Sequence, residues 1–138
     1  MRFWVLFLAG ILIYLSGCST SEPLTDRFPD LVQVTPPERV PYVEKELSIS
    51  SIELVSLRKG KALHIKGQFP NACTAILRAE GNVTFGILEI DMVGWQLYKQ
   101  ECEQSASEFP FSYLFTGVEQ WEDVDKVYIN EKEFVLNQ

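Results

Sequence analysis

Histidine is nearly missing from this chain of 138 residues: His64 is the only one. Cysteine is scarce as well, with Cys18, Cys73 and Cys102 far apart and no C-x-x-C pair. A zinc site needs about four clustered ligands, and one histidine with scattered cysteines does not supply them. A dithiol redox centre needs closely spaced or electropositively flanked thiols, whereas Cys102 lies between Glu101 and Glu103. No glycine-rich loop follows a strand-like run, which argues against a nucleotide phosphate site. No local motif places Ser, His and Asp as a triad. Basic residues are also in deficit, 12 Lys and Arg against 19 Asp and Glu, for a net charge of −7. Nucleic acid is a poor partner for such a chain, because neutralising phosphates takes a basic surface. No cofactor, no metal and no enzymatic activity are expected from this inventory.

Beyond residue 15 no long apolar run occurs. From Phe3 to Leu15 the chain carries no charge, but thirteen residues fall short of the roughly 20 that a transmembrane helix needs. Arg2, this apolar run and the small residues Ser16 and Gly17 fit a secretory signal over residues 1–17. Leu15-Ser16-Gly17-Cys18 also resembles the lipobox of bacterial lipoproteins. That resemblance implies that Cys18 receives a diacylglyceryl group, that cleavage precedes it and that the new amino terminus is acylated. Several acyl chains make such an anchor in effect permanent. Ser19 in place of Asp implies, by the same resemblance, a bacterial cell-envelope protein at the outer membrane facing the periplasm, if the organism is Gram-negative. A membrane would then be met through lipid and not through charge.

Residues 18–45 read as a proline-rich tether. Five of the seven prolines fall here, Pro23, Pro29, Pro36, Pro37 and Pro41, and proline removes donors and fixes φ. As polyproline II the stretch would reach about 80 Å. Within it "DLVQV" (30–34) fits a plain linker, a short edge strand or a binding segment.

From residue 46 to 138 short runs of period two take over. Leu63, Ile65 and Phe69 alternate with Ala62, His64, Lys66 and Gln68, which places His64 on a polar, exposed face. Ile52 and Leu54 begin a strand pattern that then blurs. Leu88, Ile90 and Met92 form another, as do Val127 and Ile129, then Phe134 and Leu136. Phe111, Tyr113 and Phe115 share one face and belong to a core. About seven short strands suggest an all-β, immunoglobulin-like antiparallel sandwich. "EQWEDVDK" is the best helical candidate, or only a turn.

With Cys18 assigned to lipid, Cys73 and Cys102 are an even remainder in an exported protein, which implies one disulfide. Around them "GQFPNACTAIL", "CEQSASEFPFSYLF" and "VYINEKEFVL" resemble a small immunoglobulin-like domain of bacterial secreted and lipid-anchored proteins. That domain has no activity to carry over to residues 48–136. Its last hairpin would hold Asn-Gly; Asn130-Glu131 here predicts a longer or different turn.

Arg58, Lys59, Lys61, Lys66 and Arg78 are unaccompanied by acids between residues 54 and 79. They read either as a basic strip for an anionic partner such as a glycan or acidic protein, or as a solvated hairpin whose charges protect an edge. Trp95 and Trp121 lie near expected turns and are either packing residues or an interaction patch. Glu119, Glu122, Asp123 and Asp125 read as solvated surface, with a weak calcium site as the sharper alternative. The expected function is a lipid-anchored, non-enzymatic binding or structural module meeting another envelope protein or a glycan. An inhibitor or modulator of a periplasmic or extracellular protease, working through a loop such as 94–108, is the alternative.

Overall fold

A computed structural model describes residues 23–102 and 109–136. The signal segment, Cys18 and residues 103–108 lie outside the described residues. The chain forms an all-β, immunoglobulin-like sandwich. A single helical turn, α1 (Leu24–Arg27), precedes eight strands: β1 (Tyr42–Lys45), β2 (Ser48–Leu57), β3 (Gly60–Phe69), β4 (Ala75–Thr84), β5 (Ile87–Leu97), β6 (Phe109–Phe115), β7 (Lys126–Ile129) and β8 (Lys132–Val135). The "EQWEDVDK" stretch contributes only a short 3₁₀ turn, Trp121–Asp123.

One sheet runs β2-β3-β6, all antiparallel. The second is centred on β5, which pairs with β4 along one side and with β7 and β1 along the other. β7 runs parallel to β5, the one parallel pairing among these strands. β7 covers Ile87–Ile90 and β1 covers Gly94–Leu97, which leaves a gap at Met92. Asn130 fills it: its side-chain oxygen accepts from the Met92 N–H at 2.9 Å and its amide donates to the Met92 carbonyl at 2.8 Å. A side chain thus stands in for a missing strand residue, and the backbone pairs of the edge are satisfied.

The β7–β8 connection corrects the expectation of a longer or different turn. Ile129 pairs with Lys132, so Asn130 and Glu131 are a two-residue loop with φ of 50° and 70°. That is the geometry normally given to Asn-Gly, and Asn130 meets its half of the requirement while its side chain is held on β5.

Period-two residues build the core between the sheets. Leu63 and Ile65 from β3, Phe111 and Phe115 from β6, Leu88, Ile90 and Met92 from β5, and Val127 and Ile129 from β7 are all buried together. Tyr113 is half-buried against them, and that burial raises its pKa. Gly67 of β3 is needed for this packing: a Cβ there would lie 2.7 Å from the Phe111 ring.

Residues 28–45 do not hang free, which corrects the reading of 18–45 as an extended, unpaired tether. Phe28 is buried with Val55 and Ala62 on the outer face of the three-stranded sheet. Leu31 then bridges to Ser112, beside β6, with Val32 donating to the Ser112 carbonyl and Ser112 donating to that of Asp30, both at 2.9 Å. Val34 bridges to Ile76, beside β4. The "DLVQV" segment therefore serves as strand-like edge cover. Prolines occupy the places where this strap needs no donor, and the residues between them supply the contacts. The strap ends as β1, clamped where Arg78 of β4 donates to Asp91 of β5 at 2.6 Å and to Glu44 of β1 at 3.1 Å.

Candidate functional site

The sandwich has two unlike ends. Leu63 lies opposite Phe115 and Ile87 opposite Lys126. The β2–β3 turn, the 116–125 loop and the β4–β5 turn therefore share one end, and α1 lies there too. The other end carries the disulfide Cys73–Cys102, with Cα atoms 6.1 Å apart. Closing a loop of 29 residues is worth about 3 to 4 kcal/mol in the chain-entropy model. Next to it Asn71 donates to Gln96 at 2.8 Å and accepts from the Cys73 N–H at 2.9 Å and the Thr74 hydroxyl at 2.8 Å. Asn71, Thr74 and Gln96 are buried, so this network ties down the disulfide end and pairs its own buried polar atoms.

The first end holds a cleft of about 1040 Å³ between α1, the β2–β3 hairpin and the loop after β6. Its floor is apolar, with Leu24, Leu57, Val118 and Trp121, and its rim carries Arg27, Arg58, Lys59 and Lys61. Glu119 is the one acid lining it among the described residues. Arg58, Lys59 and Lys61 are exposed, as a charged hairpin requires. Arg27 is held across the opening by donating to the Ser56 carbonyl at 2.8 Å. Pro23, the first described residue, also lines the cleft. The sequence reading found three of these cations but missed Arg27, which lies in the stretch read as tether.

Trp121 is a correction: it is not an exposed patch residue. Its ring is buried in the main core, and its indole N–H donates to the Lys61 carbonyl at 3.2 Å. It closes the floor of the cleft and fixes the β2–β3 hairpin above it. Trp95 is engaged within the chain as well. Its indole donates to the Thr35 carbonyl at 2.7 Å and its ring meets Tyr42 edge-on at 6.1 Å, so the strap uses it as a support. The basic strip does not survive as one surface. Arg78 is ion-paired on the second sheet, and Lys66 is on the face near His64, beside a separate cavity. The hairpin tip 58–61 remains.

His64 is the clearest reversal. It is buried, with its Nε2 3.0 Å from the Ser112 hydroxyl and its ring 4.4 Å from the Phe28 ring. Burial holds the imidazole below its ordinary pKa, Lys66 and Arg27 push the same way and Glu53 opposes them. A Ser–His pair invites comparison with a hydrolase, and Glu53 stands opposite His64 in the strand register. However, no hydrogen bond joins Glu53 to the imidazole, and the Ser112 N–H that would serve an oxyanion is taken by Asp30. Phe28 covers the ring. The arrangement satisfies two buried polar groups beneath the strap.

Among the described residues no group of three His, Cys, Asp or Glu side chains is placed to hold a metal ion. Of the loop 94–108, residues 94–97 belong to β5 and Leu97–Gln100 closes a turn with Lys99 at φ 59°, while 103–108 lie outside the described residues. No protein-family model, no curated protein and no solved structure matches this chain.

Proposed function

We propose that the chain is a lipid-anchored, non-enzymatic module of a bacterial cell envelope that holds an anionic component in the cleft at the α1 end of the sandwich. The observation that carries this reading is the grouping of Arg27, Arg58, Lys59 and Lys61 over an apolar floor in a protein whose net charge is −7. An acidic chain that gathers Arg27, Arg58, Lys59 and Lys61 around one opening, with Asp26, Glu119 and Glu122 nearby, offers a local set of cations there against its overall charge. The chemistry on offer there is charge and apolar contact.

Two measurements test the reading. The protein should incorporate labelled palmitate in its bacterial host, and Cys18→Ala should abolish the label and leave an unprocessed precursor. Absence of label in the wild type sinks the anchor. The folded wild-type protein should be retained on a dextran sulfate matrix at low salt, and the Arg58→Glu/Lys59→Glu double variant should pass through. Equal retention of the two sinks the cleft.

A further inference from the structure

The residues between the lipidation site and the fold set a geometric limit. Cys18 precedes Pro23 by five residues, which span at most about 18 Å when extended. The ten-residue β3 is about 33 Å long. The apparent tether of 18–45 is spent on the sandwich surface from Phe28 onward, so the free length shrinks from about 80 Å to a fraction of the length of the domain. A lipid on Cys18 therefore holds the α1 end at the bilayer and keeps the disulfide end away from it. The cations at that end thus meet the membrane, even though the net charge of the chain led to the expectation of contact through lipid and not through charge.

We propose that the α1 end of the sandwich docks on the bilayer that anchors Cys18, with anionic phospholipid headgroups in the basic cleft and Phe85 in the interfacial layer. The proposal rests on the lipid-anchored reading above and names the anionic component.

Phe85 supplies an observation independent of the tether. It is 99% exposed and sits at the tip of the β4–β5 hairpin with a φ of 50°. Thr84 pairs with Ile87, so Phe85 and Gly86 are a two-residue loop, and the first place in such a loop suits Asn or Asp. An aromatic ring in a left-handed turn and in open water is unfavourable twice. In the headgroup layer the exposure becomes a gain, because apolar rings at that depth anchor peripheral proteins. Val83, on the same hairpin, is exposed too. The cleft and this tip lie at the same end of the sandwich, the cations beside the three-stranded sheet and Phe85 beside the other. Asp125, whose N–H donates to the Gly86 carbonyl at 2.8 Å, and Asp123 lie next to the hairpin and oppose an anionic surface there. The two halves thus bind by different means, the cleft side by charge and the hairpin side by apolar insertion.

The test uses the full-length lipidated protein in vesicles of phosphatidylethanolamine and phosphatidylglycerol. One added cysteine carries an environment-sensitive fluorophore, at Phe85→Cys or, toward the other end, at Ser48→Cys, with circular dichroism checking each fold. The fluorophore at 85 should shift to the blue and be quenched by brominated lipid, and the one at 48 should stay in water. Basic side chains near an anionic surface each strengthen binding about fivefold, so Arg58→Glu/Lys59→Glu should lower the docking equilibrium constant by about 30-fold or more while the protein stays in the vesicles. Lack of palmitate on Cys18 overturns both this proposal and the function on which it rests. Palmitate on Cys18 with positions 85 and 48 equally wet overturns the docking alone. So does quenching at 85 that ignores the charge reversal.

Discussion

The two faces of β3 are both buried, but by different parts of the chain. On the inner face Leu63 and Ile65 meet β5, β6 and β7 in one large cluster. On the outer face Ala62 and His64 meet a small cluster made by Phe28, Leu31, Val55, Leu57 and Leu114. The inner cluster joins strands that hydrogen-bond along their length. The outer one depends on a strap attached by two isolated bridges and a few contacts. Local stability follows the number of buried contacts, so the outer cluster should open without unfolding the inner one. That asymmetry also determines how far the domain can stand from the proposed anchor.

The largest separation of the two should come from Phe111→Ala, which empties a fully buried ring site between the sheets. A loss of about 3 to 5 kcal/mol is expected, read as a lower urea midpoint at unchanged slope. Every probe, including those on the strap, should move with it. Phe28→Ala should cost about 2 kcal/mol, below the usual range for a buried phenylalanine because few groups surround it. Hydrogen exchange of the Val32 amide should accelerate with it, and Val32 should exchange faster than Ile65 both before and after the substitution. In vesicles the same variant lengthens the free tether, so the difference between probes at 85 and 48 should narrow. Equal protection of Val32 and Ile65 in the unsubstituted protein would merge the two clusters into one cooperative unit.

The inner cluster is the one that period two makes legible. Leu88, Ile90 and Met92 sit where alternation places them, since β5 is covered on one face and wet on the other. The outer cluster escaped for a physical reason. β3 and β2 are covered on both faces over part of their length, and a doubly covered strand has no polar side to reveal it. Val55 and Leu57, where the alternation of β2 blurs, are the residues that face the strap. The His64 position failed by the same route, because a covering element built from one phenylalanine among prolines leaves no period to detect. Trp121 was left open between packing and an interaction patch, and its burial selects packing, because a turn near a strand end can also be a lid on the core. The disulfide followed from arithmetic on cysteines. The basic cleft was half visible, as its hairpin cations are adjacent in sequence and Arg27 is not.

Strengthening the inner half alone gives a smaller effect. Glu131 holds a φ of 70° at the second position of the β7–β8 turn, a conformation that costs a side chain about 1 kcal/mol or more relative to glycine. Glu131→Gly should therefore raise the unfolding free energy by about 1 kcal/mol, read as a higher urea midpoint at unchanged slope. Exchange at Val32 should be unchanged, because the strap opens from the folded state and that state keeps its contacts. A change at Val32 would mean that the hairpin and the strap are coupled through β5.

The weakest lever acts on the outer half alone and is set by pH. His64 faces Phe28 and Arg27 from the α1 side, Glu53 from β2, Lys66 from its own strand and Ser112 from β6. Burial and the two cations lower its pKa in the folded protein. When the strap lifts, the imidazole returns toward its ordinary value near 6.5, so the open form takes up a proton at a pH where the closed form does not. The stabilisation from neutral His64 is complete above that ordinary value. It is lost as the pH falls from about 6.5 through the lowered folded value. Val32 exchange, corrected for the intrinsic pH dependence of amides, should therefore gain an extra slope on acidification. In His64→Gln, which keeps a hydrogen-bonding group but cannot titrate there, that extra slope should vanish. Persistence of the slope in the variant would take it away from the imidazole and leave His64 as a packing group under Phe28.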